Sequence, residues 1–344
     1  MRPARATAAV TAAVTAALAL TTLVAACGTA TAGSGTGSGK TAAEPTALSI
    51  AQATRLVYAY SATNNAVNGS YSAALDQTIE ESPAAAASIA GLAASKIEGK
   101  VIPSAQYYSP SFAVPRITGY PRIMLATTHL QSNGTTSPYT LYLLFVQDSA
   151  AAKWRVAYYP YSTGQIPVPA PRTAADDSAP AVTSDSGLLA DPNALSAAIF
   201  AHATGQNSGG AAVPLAATPE LDGELTAGFT SGVQEYKSMG DNVYRTLLPT
   251  TFPSYLIRTK SGGVLAFTAN EVQDVVVPMH AGGHVTLPQG STEAALAGHP
   301  GGATASRFAI VRLQMFMSYI PPQGDPGNGV EVLSYSDYPI SVSS

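Results

Sequence analysis

The chain has 344 residues, 46% hydrophobic and only 11% charged, with 17 Lys and Arg against 21 Asp and Glu for a formal charge of −4. It is too long for a small disulfide scaffold, its charge balance lacks the basic footprint that grips nucleic acid, and its single cysteine excludes intramolecular disulfides and thiolate-rich metal sites. The apolar share suffices for the cores of two domains of ordinary size.

The first segment reads as an export signal. Arg2 and Arg5 precede an uncharged Ala/Thr/Leu/Val run ending at Leu23-Val24-Ala25-Ala26-Cys27. That order of positive, apolar and small residues marks a signal peptide over residues 1–26. A transmembrane anchor is the rival reading, but Ala and Thr are weak membrane residues and no basic stop-transfer cluster follows. Ala25 and Ala26 directly before Cys27 resemble a bacterial lipobox. The resemblance implies a diacylglyceryl thioether on Cys27, cleavage before it, and a lipoprotein held on the extracytoplasmic face of the cell membrane. Two or more acyl chains anchor stably where one does not. Removing residues 1–26 takes away two arginines and no acids, leaving 15 basic and 21 acidic residues and a formal charge of −6. The tether, not the surface, would hold such a protein at an anionic membrane.

Residues 27–45 are rich in Gly, Ser, Thr and Ala and form a flexible spacer. Within them Gly33-Ser34-Gly35-Thr36-Gly37-Ser38-Gly39-Lys40-Thr41 imitates a phosphate-binding loop, but Ser34 stands where that pattern needs its first glycine. No strand leads in and no helix follows, so the spacer reading stands.

A first α+β domain is expected over residues 46–161. Ser49 to Asn68 carries Ile50, Ala53, Leu56, Val57, Tyr60 and Asn64 at helical spacing, with Ser49 as cap and Gly69 as stop. A second helical tract over Ser72 to Ala94 is broken or kinked at Pro83. The period then changes to strand over Arg122 to Leu130, Gln131 to Pro138 with Asn133-Gly134 as turn, Tyr139 to Gln147 and Lys153 to Tyr161. Tyr139, Leu141, Leu143 and Phe145 fall on one face and Tyr142, Leu144 and Val146 on the other, the pattern of a strand inside a sheet covered on both sides.

Residues 162–190 have linker composition, with Pro167, Pro169, Pro171, Asp176, Asp177 and Pro180 and no periodicity. A second α+β domain is expected over 191–344. Asp191 as cap and Pro192 at the first helical position start a helix to Thr204. A weaker helix over Leu221 to Met239 is interrupted by Gly223, Gly228 and Gly232. Tyr255 to Thr259 and Val264 to Thr268 flank Lys260-Ser261-Gly262-Gly263 as a hairpin. Phe308 to Tyr319 is the clearest strand, with a partner at Val330 to Tyr335. The fold class is therefore α+β, two tandem domains each with N-terminal helices packed on a curved antiparallel sheet. Tyr158-Tyr159-Pro160-Tyr161 echoes Tyr335-Ser336-Asp337-Tyr338-Pro339, as an ancient duplication would.

The segment Tyr60-Ser61-Ala62-Thr63-Asn64-Asn65-Ala66-Val67-Asn68, followed by Leu75-Asp76 and Ile79-Glu80, resembles a family of uncharacterised actinobacterial secreted lipoproteins with an Asn-Asn-x-x-Asn helix end. The strand pattern after it is similar to the cone-shaped domains of the nuclear transport factor 2 type. The first resemblance implies a secreted, lipid-anchored protein; the second implies a helix lying across a curved sheet and, in some relatives, a pocket with an Asp/Tyr pair.

Candidate chemistry is sparse. His280, His284 and His299 are three of five histidines and suit zinc or copper, but Ala281-Gly282-Gly283 between the first two makes a loop. Glu293 is the nearest acid, and a solvated glycine-rich loop is the preferred reading. No Gly-x-Ser-x-Gly and no Ser-x-x-Lys occurs. Asp76, Glu80 and Glu81 offer paired carboxylates, although acids at helical spacing usually form a wet face. Asn64, Asn65 and Asn68 either line a pocket mouth or hold a strand and end the helix, the second being preferred. Tyr107, Tyr108, Tyr120, Tyr158, Tyr159 and Tyr161 are candidates for a ligand surface, because tyrosine buries area while keeping a polar tip. The expected function is ligand or partner binding without catalysis or cofactor. The partner would be an unidentified protein or small molecule, not nucleic acid, with a pocket-containing enzyme or small-ligand carrier as the alternative.

Overall fold

The computed structural model describes residues 48–344 except 133–134, 183–184, 186, 207–212, 250–251, 326 and 328. The export segment, the spacer with its loop-like pattern, Cys27 and the Asn133-Gly134 turn lie outside the described residues.

Ser49 opens the first helix with a reciprocal cap. Its hydroxyl accepts the Gln52 N–H at 3.3 Å, and Gln52 Oε1 accepts the Ser49 N–H at 2.8 Å. The helix α1 (Ile50–Ser70) runs through the expected stop at Gly69 and ends at Tyr71, in the left-handed region with φ 52°. Tyr71 can hold that conformation because its N–H closes on the Val67 carbonyl and its hydroxyl donates to Lys100 O at 2.5 Å. The second tract splits at Pro83 into α2 (Ala73–Asp76) and α3 (Ala84–Glu98), and Gly99 at φ 65° ends the latter.

Six strands follow: β1 (Gln106–Pro115), β2 (Arg122–Ser132), β3 (Thr135–Gln147), β4 (Arg155–Tyr158), β5 (Tyr161–Ser162) and β6 (Ser178–Ala179). They form a sheet of order β4-β3-β2-β1-β6, with β5 also on β3; all pairs are antiparallel except β1 with β6. β3 is thus interior, as its two apolar faces require. β1 was not visible in the sequence, because Ser109, Pro110 and Ser111 interrupt its alternation. The structure places a register shift there, with Ser109 at φ 48°.

The second half repeats the order of helices before sheet. Asp191 caps α4 (Pro192–Thr204) by accepting the Asn193 N–H at 2.8 Å, and Gly205 at φ 69° stops it. The expected helix over Leu221 to Met239 is instead a π-helix (Pro219–Thr226) running into α5 (Ala227–Ser238). Thr218 starts the wide turn: its hydroxyl accepts the Leu221 N–H at 3.1 Å and donates to Val332 O at 3.0 Å, which ties the turn to the neighbouring sheet. That sheet contains β7 (Asp241–Leu247), β8 (Tyr255–Arg258), β9 (Val264–Pro278), β12 (Phe308–Ile320) and β13 (Glu331–Ser343) in the order β13-β12-β9-β7, with β8 also on β9. A small hairpin of β10 (Val285–Leu287) and β11 (Ala303–Ala305) encloses α6 (Thr292–Leu296).

Alternation along the strands builds four layers. In the first sheet Met124, Leu143 and Phe145 pack under α1 with Ala53, Val57 and Tyr60. The opposite face, with Leu125, Tyr142, Leu144 and Tyr158, packs on Phe267, Leu313, Met315 and Met317 of the second sheet. The far face of that sheet, with Ala266, Phe316 and Val332, is covered by α4 and the π-helix through Leu195, Ile199 and Leu221. The order is helix, sheet, sheet, helix, so the two α+β halves share one core between their sheets.

The 162–190 segment crosses this arrangement and is stitched to both halves. β6 pairs with β1, Arg172 N–H donates to Arg258 O at 2.8 Å, and Lys260 N–H donates to Ala170 O at 2.9 Å. Tyr158 makes the central cross-tie: it is fully buried, its ring meets Tyr255 at 6.0 Å and Phe267 at 6.2 Å, and its hydroxyl donates to Pro253 O at 2.7 Å. A Phe267→Ala substitution is therefore expected to cost about 3–5 kcal/mol and to move the unfolding of both halves together. Urea denaturation followed at Trp154 in the first half and by far-ultraviolet circular dichroism for the whole chain checks this; two separated transitions with Trp154 unaffected would contradict the shared core.

Candidate functional site

The tyrosine echo converges in space. Tyr159 and Tyr161, at the end of the first sheet, meet Tyr338 of β13 across a concavity of about 330 Å³ whose other walls are Leu130, Tyr139 and Leu141. The Tyr159 and Tyr338 rings meet edge to face at 6.1 Å, and Tyr139 lies 5.5 Å from Tyr161. Tyr139 and Tyr161 are 45% and 36% exposed, enough to present ring faces to a ligand at the rim. Among the described residues no formal charge lines the hollow. Its chemistry is apolar faces with phenol hydroxyls, which suits a neutral ring-sized group.

Behind Tyr159 lies a buried polar chain. Ser88 Oγ approaches the Tyr159 hydroxyl at 3.5 Å, and Ser88 also hydrogen-bonds Glu80, favouring its charged form. The Tyr60 hydroxyl donates to Glu80 Oε1 at 2.6 Å. Asp76, with neither carboxyl oxygen partnered among the described residues, completes the group. Glu80 is positioned by backbone: it bridges Val156 of β4 in parallel, with Val156 N–H donating to Ile79 O at 2.8 Å and Glu81 N–H donating to Val156 O at 2.9 Å. The edge of the sheet therefore pulls this short segment inward and takes its acids with it. Asp76 and Glu80 are 0% and 2% exposed, which overturns the expectation of a wet helical face; Glu81 alone stays near the surface, paired with Arg155 at 2.7 Å.

Burial raises both inner carboxyls. Asp76 is pushed up to about 7, by burial first and then by the charge of Glu80, and Glu80 is also raised by burial. Glu81 is likewise raised to about 7, by burial and then by Asp148. Burial, with the charge of Glu80, lifts the Tyr60 and Tyr107 phenols as well.

The remaining sequence candidates separate. Asn65 clamps the backbone before β1, its Nδ2 donating to Ala105 O at 2.9 Å and its Oδ1 accepting the Ala105 N–H at 3.0 Å. Asn64 hydrogen-bonds Tyr107, which is buried. Neither lines the concavity, and neither does Tyr158, which belongs to the core between the sheets. Tyr108 and Tyr120 are exposed elsewhere, Tyr120 beneath the Arg122 guanidinium at 4.8 Å. His280 and His284 sit in an exposed turn and His299 in another. Glu293, their nearest acid, binds Arg312 at 2.5 Å. Among the described residues no group of three or more His, Cys, Asp or Glu is placed to hold a metal ion. Tyr139 and Tyr338, which sequence reasoning left out of the site, were signalled respectively by the alternation of β3 and by the echo of the first tyrosine cluster.

The fold and site define a two-sheet α+β protein with a tyrosine-lined hollow at the junction of its halves. The chain belongs to the family described as Domain of unknown function (DUF8094), whose model matches residues 44–343. No curated protein matches it, and no solved structure matches it. Among the described residues no helix is long and apolar enough to cross a membrane.

The two inner carboxyls set a pH dependence. Because the Asp76 pKa is higher folded than unfolded, its contribution to stability is complete below about pH 4 and is lost as pH rises through about 7. Each tenfold difference in proton affinity between the folded and unfolded chain is worth ~1.4 kcal/mol, so the fall between pH 4 and pH 8 should be on the order of 2–4 kcal/mol. Asp76→Asn should flatten it. Urea midpoints across that range test the assignment; a wild type whose stability does not fall with rising pH would sink it.

Proposed function

We propose that this chain is a lipid-anchored extracytoplasmic binding protein, tethered through Cys27, whose ligand site is the tyrosine concavity. The observation that carries the reading is the convergence of Tyr139, Tyr159, Tyr161 and Tyr338, drawn from both halves, on one uncharged hollow. Tyrosine offers a rigid ring and a hydroxyl at low entropic cost, the combination that recognises sugar rings and aromatic groups. The spacer after Cys27 gives the domain reach from the bilayer, and the lipobox-like sequence supports the anchor.

A binding role is favoured over a catalytic one by the burial of the carboxylates. Asp76 and Glu80 are closed off from solvent, whereas an acid or base must come within hydrogen-bond reach of its substrate. Glu80 holds Tyr60 and, through Ser88, the back of the hollow in place.

Two measurements check this reading. Saturation-transfer nuclear magnetic resonance with neutral saccharides and uncharged phenols should give saturable binding that Tyr161→Ala weakens tenfold or more, about 1.4 kcal/mol; binding unchanged in that variant excludes the concavity as the site. Membrane fractionation of cells expressing wild type and Cys27→Ala should leave the first in the membrane and release the second. Finding both forms soluble, or both bound, rules out anchoring at Cys27.

A further inference from the structure

A second hollow lies on the opposite half of the molecule. It has a volume of about 390 Å³ and is bounded by the π-helix and α5 on one side and by β7, β9, β12 and β13 on the other. Its wall contains a fixed ion network. Arg245 grips Asp274 through two nitrogens, and Arg312 reaches Glu293 at 2.5 Å, Asp337 at 2.9 Å and Asp274 at 3.3 Å.

Three features of this hollow go beyond what such a network needs. First, its charges do not balance. With Glu224 and Glu235, five carboxylates face two guanidiniums, a formal charge of −3. Glu224 and Glu235 are exposed and make no ion pair among the described residues. Second, the walls between these acids are aromatic. Phe229, Tyr236 and Tyr335 all line the space, and Phe229 already carries one cation on its face, with Arg245 Cζ 3.8 Å from the ring centroid. Third, α5 keeps the space open with glycine. Gly228 and Gly232 are four residues apart, so they share one helix face, and both line the hollow. A Cβ at either would meet nothing within 4 Å. Each glycine lowers helix stability by about 1 kcal/mol relative to alanine, and packing does not require either. The wide π turn before them, a feature common at functional sites, sets Glu224 and Leu225 on the same wall.

We propose that this hollow binds an organic cation, an ammonium group carried on an apolar body, separately from the tyrosine concavity. The ammonium lies against the aromatic faces within reach of Glu235 and Glu224, and the apolar body fills the space over Gly228 and Gly232. Arginine in the same wall disfavours a bare metal ion, whereas a diffuse ammonium charge suits aromatic rings.

The test is calorimetric titration of the full chain with choline and benzylammonium, set against 3,3-dimethylbutan-1-ol, the uncharged analogue of choline, and phenylacetate, an anion of benzyl size. At least one cation should bind saturably and neither control should. Gly232→Leu, which fills the hollow from a helical site with free space, should lower cation affinity tenfold or more while leaving the melting temperature equal or higher. Glu224→Gln combined with Glu235→Gln, both at exposed positions, should lower it at least threefold. The proposal is overturned if neither cation saturates, if either control binds as well as the cations, or if Gly232→Leu binds them as wild type does.

Discussion

The contact between the two sheets is the constraint on which the rest depends. Neither half can cover its own sheet on both sides. α1 covers one face of the first sheet and α4 and the π-helix cover one face of the second, while α3 adds just Ala86 and Ala87 to the core between the sheets. The face left over in each is as apolar as the one covered, since Tyr142, Leu144 and Val146 alternate with Leu143 and Phe145 in β3. At about 25 cal/mol per Å² of buried apolar surface, leaving either face in water would exceed the few kcal/mol of net stability that a domain possesses. The halves must therefore meet, and Tyr158 sits where they do, with its one polar atom satisfied by Pro253 O of the other half.

Most of that constraint was legible in the sequence, and its consequence was not. The two apolar faces of β3, the caps at Ser49 and Asp191, the break at Pro83 and the hairpin at Lys260-Ser261-Gly262-Gly263 are local signals that the structure follows. What covers each face is a long-range fact, and a strand pattern carries no label for its partner. The same limit explains Asp76 and Glu80. Their spacing reads as a solvated helix face, but α2 ends at Asp76 and the next residues bridge to β4, so the sheet edge rather than a helical period decides which way they point. Likewise β9 runs ten residues past the expected end at Thr268, because Asn270, Gln273 and Asp274 look like turn material while Asp274 is in fact neutralised by Arg245 and Arg312.

The molecule handles buried charge in two different ways. Around Asp274 it surrounds a carboxylate with guanidiniums, and the Arg312 charge is strongly favoured by Asp337, Glu293 and Asp274 against the opposing effect of its burial. Around Asp76 the described residues supply no cation, and the acid is brought toward its neutral form instead. The first arrangement fixes its members in place and suits a rigid wall. The second ties the stability of the α2–α3 corner to proton activity, and that corner holds Ser88 against the back of the tyrosine hollow.

The tyrosine hollow exists only in the assembled molecule. Tyr159 and Tyr161 come from the end of the first sheet and Tyr338 from the last strand of the second, so no half contains it alone. The echo between the two tyrosine clusters thus acquires a physical meaning whether or not it arose by duplication: both segments reach the same rim because the sheets stack with those ends together. A ligand held there contacts both halves at once and binds the docked arrangement but not a separated one. By linkage it must stabilise the contact between the sheets in proportion to its affinity and concentration. Occupancy of the hollow and integrity of the shared core are then one equilibrium, and substitutions in that core far from any tyrosine of the rim, Phe267 among them, alter the apparent affinity through the fraction of chains in which the rim is complete.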